Sequence, residues 1–147
     1  MKIIMLDIDG VCNDVCTTTK HVCEGQVYDG VDKEKIDLLK KIIDATGAKI
    51  ILSSTWRKYK DSREYLFKEM GEQLASCVIG QTPDFGFRLR ADEIESWLND
   101  HPEVTKFIVL DDQDSEDLER FGSSFIQTKM STGLTEEDAV KCIEKLS

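Results

Sequence analysis

Asp7 and Asp9, in the run Ile3-Ile4-Met5-Leu6-Asp7-Ile8-Asp9-Gly10, stand where an apolar segment beginning at Lys2 stops and a glycine follows. Alternate side chains of a strand share a face, so acids two positions apart would converge beyond the strand's carboxyl end. Like charges that close raise the pKa of one partner or recruit a cation, and Mg²⁺, a hard ion that takes oxygen ligands, is the natural compensator. Ser53 is the first polar residue beyond a second apolar run, with Ser54 a close alternative, and Asp111 and Asp112 follow another such run. Counting back from Ile94, Trp97 and Leu98 puts Arg90 on the inward face of a helix, where a guanidinium wants a carboxylate or phosphate partner. Arg88 is an alternative to Arg90 and Arg57 a second contact, although either could make only a surface salt bridge. Together these residues offer what a phosphoryl group needs: an in-line nucleophile, neutralisation of its oxygens and a proton for the leaving group.

The elements that must position them can be read from the apolar pattern. Strand-sized runs fall at 2–6, 49–52, 76–79, 106–110 and 124–127, most of them nearly continuous, as in strands covered on both faces. Helical spacing lies between them: 32–46, capped by Asp32 and ended by Gly47, then 61–74, 90–99, a short helix at 115–121, and 136–146 capped by Thr135. Alternating strands and helices predict an α/β, Rossmann-like, doubly wound three-layer fold on a mainly parallel five-stranded sheet, with ligands beyond the carboxyl ends of its strands. The polar residues follow that rule: Asp7 and Asp9 end the first strand, Ser53 and Ser54 the second, Asp111 and Asp112 the fourth. Asp114, Glu116, Asp117 and Glu119 read as acids at a helix start, where they suit the macrodipole, and Asp117 could steady the site from behind.

With 147 residues the chain is expected to form a single domain, 1–147, without internal repeat or linker. Its apolar runs are too short to span a bilayer, and Met1 leads straight into the first strand, so a cytoplasmic protein without membrane partners is expected. The net charge of −10, without a dense Lys/Arg cluster, excludes tight nonspecific nucleic-acid binding but not the handling of one phosphorylated end. Five cysteines, an odd number, argue for reduced thiols. Cys12, Cys16, His21 and Cys23 have the residue types of a tetrahedral zinc site, but their spacing fits no common zinc pattern. Cys77, on a strand, and Cys142, on the last helix, read as core.

Taken in order, the segments Leu6-Asp7-Ile8-Asp9-Gly10-Val11, Ile51-Leu52-Ser53-Ser54-Thr55-Trp56-Arg57, Arg90-Ala91-Asp92-Glu93-Ile94 and Val109-Leu110-Asp111-Asp112 resemble the four motifs of the haloacid dehalogenase (HAD) superfamily, mostly Mg²⁺-dependent phosphatases. The Ser-Ser-x-Trp-Arg segment, the Arg-x-x-Glu-Ile-x-x-Trp-Leu helix, the Leu-Asp-Asp turn and the tail Phe125-Ile126-Gln127-Thr128 with Thr132-Gly133-Leu134-Thr135 resemble one branch, the HAD domains of Swiss army knife RNA repair proteins. This likeness covers nearly the whole chain. It implies that Asp7 attacks phosphorus to form an aspartyl-phosphate and that Asp9 protonates the leaving oxygen, then activates water. It further implies a Mg²⁺ site of Asp7, Asp9 and Asp112 with Asp111 orienting, a hydroxyl contact from Ser53 or Ser54, and a cation at Arg90, where the family more often has lysine.

Members of the superfamily often carry an inserted cap. Here the first gap leaves room for a loop and one sheet-covering helix and the second for little more than another helix, so no large cap domain and an open site are expected. An open site admits a polymer end or a protein side chain. The resulting expectation is a phosphohydrolase of a nucleic-acid end (RNA or DNA) or a nucleotide. Its alternatives are a phosphatase of a small phosphorylated metabolite and a noncatalytic module of this fold in a larger assembly. A phosphorelay receiver also combines a parallel sheet with clustered acids, but its acid pair precedes its phospho-accepting Asp, the reverse of the order here.

Overall fold

The computed structural model describes residues 1–86, 88–113 and 117–147. In chain order the elements are β1 (Lys2–Leu6), β2 (Lys20–Cys23), β3 (Gln26–Asp29), α1 (Lys33–Thr46), β4 (Lys49–Leu52), α2 (Lys60–Ala75), β5 (Val78–Gln81), α3 (Arg90–Asn99), β6 (Lys106–Asp111), β7 (Phe125–Gln127) and α4 (Glu136–Leu146). Two 3-10 turns, Thr55–Lys58 and Leu118–Ser124, complete them. Five strands form one parallel sheet in the order β5-β4-β1-β6-β7, and β2 and β3 form a separate antiparallel pair.

The central strands are apolar on both faces because both faces are covered. Ile4, Leu6, Ile50, Leu52, Ile108 and Leu110 point into one core with Leu39 and Ile42 of α1, Leu66 and Leu74 of α2, and Cys142 and Leu146 of α4. Their alternates Ile3, Met5, Ile51 and Val109 point the other way, onto Ala91, Ile94 and Trp97 of α3 and Leu118. Burying such a side chain stabilises the fold by about 1.5–3 kcal/mol, and this two-sided burial fixes the three layers.

The chain first runs outward from β1 through β4 to β5, then crosses to the opposite side of β1 for β6 and β7. The reversal leaves a crevice between the carboxyl ends of β1 and β6, the switch point where α/β sheets collect ligands. Asp7 lies on one side of it and Asp111 on the other, tied by the Asp7 amide donating to the Leu110 carbonyl at 3.0 Å.

Helix ends follow local chemistry. Gly47 adopts φ 71° after α1, a left-handed conformation that glycine takes without a Cβ penalty, and its amide closes on the Ile43 carbonyl at 2.8 Å. Thr135 and Asp138 form a reciprocal capping box on α4. Asp32 occupies the N-cap position of α1 but makes no side-chain cap; its carboxylate is taken instead by Thr17 Oγ1 at 2.8 Å and Lys35 Nζ at 3.0 Å.

The structure corrects several boundaries. The third sheet strand starts two residues later than its apolar signal, at Val78, because 76–77 still close the end of α2, and Cys77 is only half-buried there. Of the short helix expected at 115–121, residues 114–116 lie outside the described residues, so Asp114 and Glu116 do too; the remainder is part of the 3-10 turn that begins at Leu118. The first gap holds more than a loop and α1. Cys23-Glu24-Gly25-Gln26 closes a hairpin whose two central residues have φ 51° and 80°, both positive, as in a type I′ turn. It is a pair of four-residue strands, so the described residues still form no large cap domain. No helix among the described residues is long and apolar enough to cross a membrane.

Candidate functional site

At the crevice, Asp7 continues the line of β1 and is almost completely buried, whereas Asp111 ends β6 and is fully buried. Asp112 follows at the rim. One oxygen from each of Asp7, Asp111 and Asp112 lies within 4.8 Å of the others, the one His/Cys/Asp/Glu cluster among the described residues close enough to hold an ion. The turn after β1 makes room for it. Gly10 has φ 81°, and a Cβ built there would lie 2.1 Å from Asp112 Oδ2, so a side chain at this position would fill the space the carboxylate uses.

Arg90, the first residue of α3, reaches across from the other face of the sheet. Its Nη1 donates to Asp111 Oδ2 at 2.8 Å and lies 3.3 Å from Asp7 Oδ1. Asp111 Oδ1 in turn accepts the Gln113 amide at 2.9 Å, so both oxygens of Asp111 are engaged. Asp117 supports the start of α3 by accepting the Ala91 amide at 3.2 Å.

One cation does not neutralise three carboxylates. Burial, then the Asp111 charge, holds the Asp7 carboxyl well above the usual range, with Asp112 adding to the rise and Arg90 opposing it. Asp112 is raised as well, by burial and then by Asp111, against a hydrogen bond with Asp7 that lowers it. Burial would lower the Arg90 guanidinium, but Asp7 and Asp111 outweigh it and the net shift is upward. An all-oxygen donor set with carboxyls pushed toward protonation fits a hard divalent cation such as Mg²⁺, which would restore the charged forms.

Asp9 sits apart from that cluster. It lies in the turn after β1 rather than on the strand, so strand alternation is not what aims it. Asn13 Nδ2 donates to its Oδ1 at 2.9 Å and Trp56 Nε1 to its Oδ2 at 3.2 Å. Asn13 also takes the Gly10 amide on its Oδ1 at 2.9 Å and donates to the Gly30 carbonyl at 2.9 Å, knitting the turn together. Asp7 and Asp9 nevertheless border the same cavity, of about 460 Å³, with Ser54, Arg88, Arg90 and Asp112.

Of the two serines, Ser54 borders this cavity and its Oγ accepts the Trp56 amide at 3.1 Å, capping the 3-10 turn. Ser53 lies fully buried, and its Oγ has no hydrogen-bond partner among the described residues. Arg88 borders the cavity with its guanidinium 5.1 Å from the centre of the Phe85 ring.

Arg57 borders the cavity as well, but its guanidinium is engaged throughout. Its Nε donates to Thr82 O at 3.1 Å, Nη1 to Ser53 O at 3.3 Å and Ser54 O at 2.9 Å, and Nη2 to Pro83 O at 3.1 Å. The buried Glu93 carboxylate, 3.1 Å from Nη2, balances its charge. With its donors so committed, Arg57 staples the loops after β4 and β5 to α3.

The Cys/His stretch does not assemble a metal centre. Both His21 ring nitrogens are engaged, Nδ1 with Asp29 O and Nε2 with Ser62 Oγ, each at 3.0 Å. Cys12 and Cys23 are buried while Cys16 is exposed, and none of this stretch belongs to the group of potential metal ligands found among the described residues. Sequence reasoning also missed residues that shape the site: Asn13 and Trp56, which hold Asp9; Lys58, on the cavity wall; and Thr128, whose Oγ1 donates to Gly10 O at 2.6 Å. Lys58 carried a signal in its position directly after Arg57. Thr128 did not, because only the fold brings it to Gly10.

No curated protein matches the chain. The profile of one family, whose description reads "HAD domain in Swiss Army Knife RNA repair proteins", aligns with residues 3–139. That span takes in the acidic crevice, the loops that line it and all of the five-stranded sheet but Lys2, and the chain therefore belongs to this family of the HAD superfamily.

Proposed function

We propose that the protein is a Mg²⁺-dependent phosphomonoesterase that works through an aspartyl-phosphate on Asp7 and removes phosphate from a nucleic-acid end or a nucleotide. The observation that carries this reading is the gathering of Asp7, Asp111 and Asp112 around one point, with Arg90 beside Asp7. A purely structural cluster would have no use for three carboxylates against one guanidinium, since each buried uncompensated charge is costly.

Asp7 and Asp112 would hold the ion, with Asp111, whose oxygens serve Arg90 and Gln113, positioning both neighbours. When bound, Mg²⁺ supplies the positive charge that lets an anionic nucleophile approach an anionic phosphate. Asp7 then attacks phosphorus, and the bond to the leaving oxygen breaks. Asp9, outside the acidic cluster and held by Asn13 and Trp56, gives that oxygen a proton and later takes one from the water that cleaves the acyl phosphate. Arg90 neutralises the transferred oxygens, aided by Arg88. The hydroxyl contact falls to Ser53, whose orphaned Oγ retains its full bonding capacity, with Ser54 beside it on the cavity wall.

The family description motivates a nucleic-acid or nucleotide substrate. The net charge of −10 favours brief contact with one terminal phosphate over a grip on a long backbone. Incubation with 5′- and 3′-phosphorylated oligonucleotides, mononucleotides and an aryl phosphate, with Mg²⁺ or with chelator, tests the proposal. The expected result is Mg²⁺-dependent phosphate release that chelator abolishes. No release from any of these esters refutes the enzyme reading.

A further inference from the structure

A second cleft, of about 530 Å³, opens beside the acidic cavity and shares Asp9 and Thr55 with it. The hairpin that the sequence did not reveal builds one wall. Tyr28 comes from β3, Trp56 and Tyr59 come from the segment after β4, and Met130 closes the far side. Tyr28, Tyr59 and Met130 are each between 39% and 48% exposed, so large polarizable groups face solvent next to the site. The buried His21 ring, 4.5 Å from Trp56 and 4.7 Å from Tyr65 between ring centres, backs them and holds the hairpin in place.

We infer that this cleft is the leaving-group subsite and that it takes the nucleoside of a nucleoside monophosphate, its base against Tyr28 and Tyr59. The inference rests on the phosphatase reading above and narrows its substrate. Asp9, the proton donor to the leaving oxygen in that reading, lies on the boundary between the two spaces, so whatever carries that oxygen extends into the aromatic cleft. Charge selects the occupant. The described residues lining the cleft include the acids Asp9, Glu24 and Asp29 and no lysine or arginine. Asp29 is ion-paired with Lys20, which leaves Asp9 and Glu24 to repel a leaving group with further phosphates, such as a continuing strand or a diphosphate. A neutral planar base stacks on aromatic rings, while carboxylates accept hydrogen bonds from its N–H groups and from ribose hydroxyls. The volume lies in the range of small-ligand pockets.

Calorimetric titration with adenosine, which carries no phosphate, reads the cleft without catalysis. Steady-state kinetics then compare AMP with glycerol phosphate. Adenosine should bind to the wild type, and Tyr28→Ala and Tyr59→Ala should each weaken it and raise KM for AMP by about tenfold while leaving glycerol phosphate turnover unchanged. Tyr28→Phe and Tyr59→Phe, which keep the rings, should retain wild-type affinity and so separate stacking from folding. Absence of adenosine binding overturns the assignment, as does equal damage by the alanine variants to both substrates. A dimer in sedimentation that Tyr28→Ala dissolves would place a second copy of the chain in the cleft and also overturn it. Adenosine binding without phosphate release from any ester refutes the phosphatase reading and leaves the cleft standing. Equal turnover of AMP and glycerol phosphate does the reverse.

Discussion

The Asp112 carboxylate occupies the space in which Gly10 would carry a side chain, with Oδ2 2.1 Å from where a Cβ would stand. The turn after β1 and the end of β6 are thus fitted to each other through the lack of a single carbon atom. Gly10→Ala would push Asp112 from its place and hold an L-residue at φ 81°, a conformation that costs about 1–2 kcal/mol. Thermal melts should show that modest loss. Phosphate release should fall much further, by about 100-fold, because a displacement on the scale of 1 Å at a reacting centre has that effect. Activity that tracks stability alone would contradict the fitted turn.

Asp7 makes stability depend on pH with a definite sign. Burial and the Asp111 and Asp112 charges raise its carboxyl in the folded chain, against Arg90, so the proton is bound more tightly folded than unfolded. Its contribution is then fully present below the unfolded carboxylate value, about 3.9, and is lost as pH rises through the higher folded one. Without divalent ions, the melting temperature of wild type minus that of Asp7→Asn should fall as pH rises over this window. The subtraction is needed because Asp14 and Asp84, both lowered by hydrogen bonds and lysine partners, contribute with the opposite sign. Mg²⁺ should stabilise the wild type more at high pH, where the carboxylate is free to bind it, and should have little effect on Asp7→Asn. A pH-independent difference would contradict the electrostatic account.

Arg57 and Arg90 should fail in different ways. Arg57→Met strands the buried Glu93 and should destabilise the fold by about 3–5 kcal/mol, measured by urea unfolding. Arg90→Met keeps the packing of Ala91, Ile94 and Trp97 while removing the guanidinium beside Asp7. It should lower kcat/KM by about 10²–10³, the loss typical of one stabilising contact to a transition state, beyond the stability lost by leaving the buried Asp111 without its ion pair. The reverse pattern would exchange their roles.

The adjacent serines are separable by the same two measurements. Ser54→Ala removes the cap of the 3-10 turn and should cost about 0.5–2 kcal/mol of stability. Ser53→Ala removes a hydroxyl that no described residue satisfies, so stability should hold or rise while turnover drops. Loss of activity in Ser54→Ala alone would move the phosphoryl contact to Ser54.

Much of this site could be read from the chain because its parts sit at the ends of strands that announce themselves. The near-continuous apolar runs before Asp7, Ser53 and Asp111 reflect burial on both faces, and Arg90 falls where helical periodicity from Ile94 and Trp97 puts it. The hairpin was not legible, since β3 is exposed throughout and shows little alternation, and its turn is Glu24-Gly25 rather than the more telling Asn-Gly. Arg57 was ambiguous for a different reason. Its partners are mostly backbone carbonyls of loops that only the folded sheet brings together, and a carbonyl leaves no mark in the residue alphabet. The same holds for Asp9, whose placement depends on Trp56, distant in sequence.

The central claim is that phosphorus becomes bonded to Asp7. Acid-quenched mass spectrometry of Asp9→Asn during turnover with Mg²⁺ and an aryl phosphate tests it most directly, since without Asp9 the acyl phosphate should form and persist. The account predicts a phosphoryl adduct on the peptide containing Asp7, absent from Asp7→Asn, which should release no phosphate. An adduct on another residue, or undiminished release by Asp7→Asn, would contradict it.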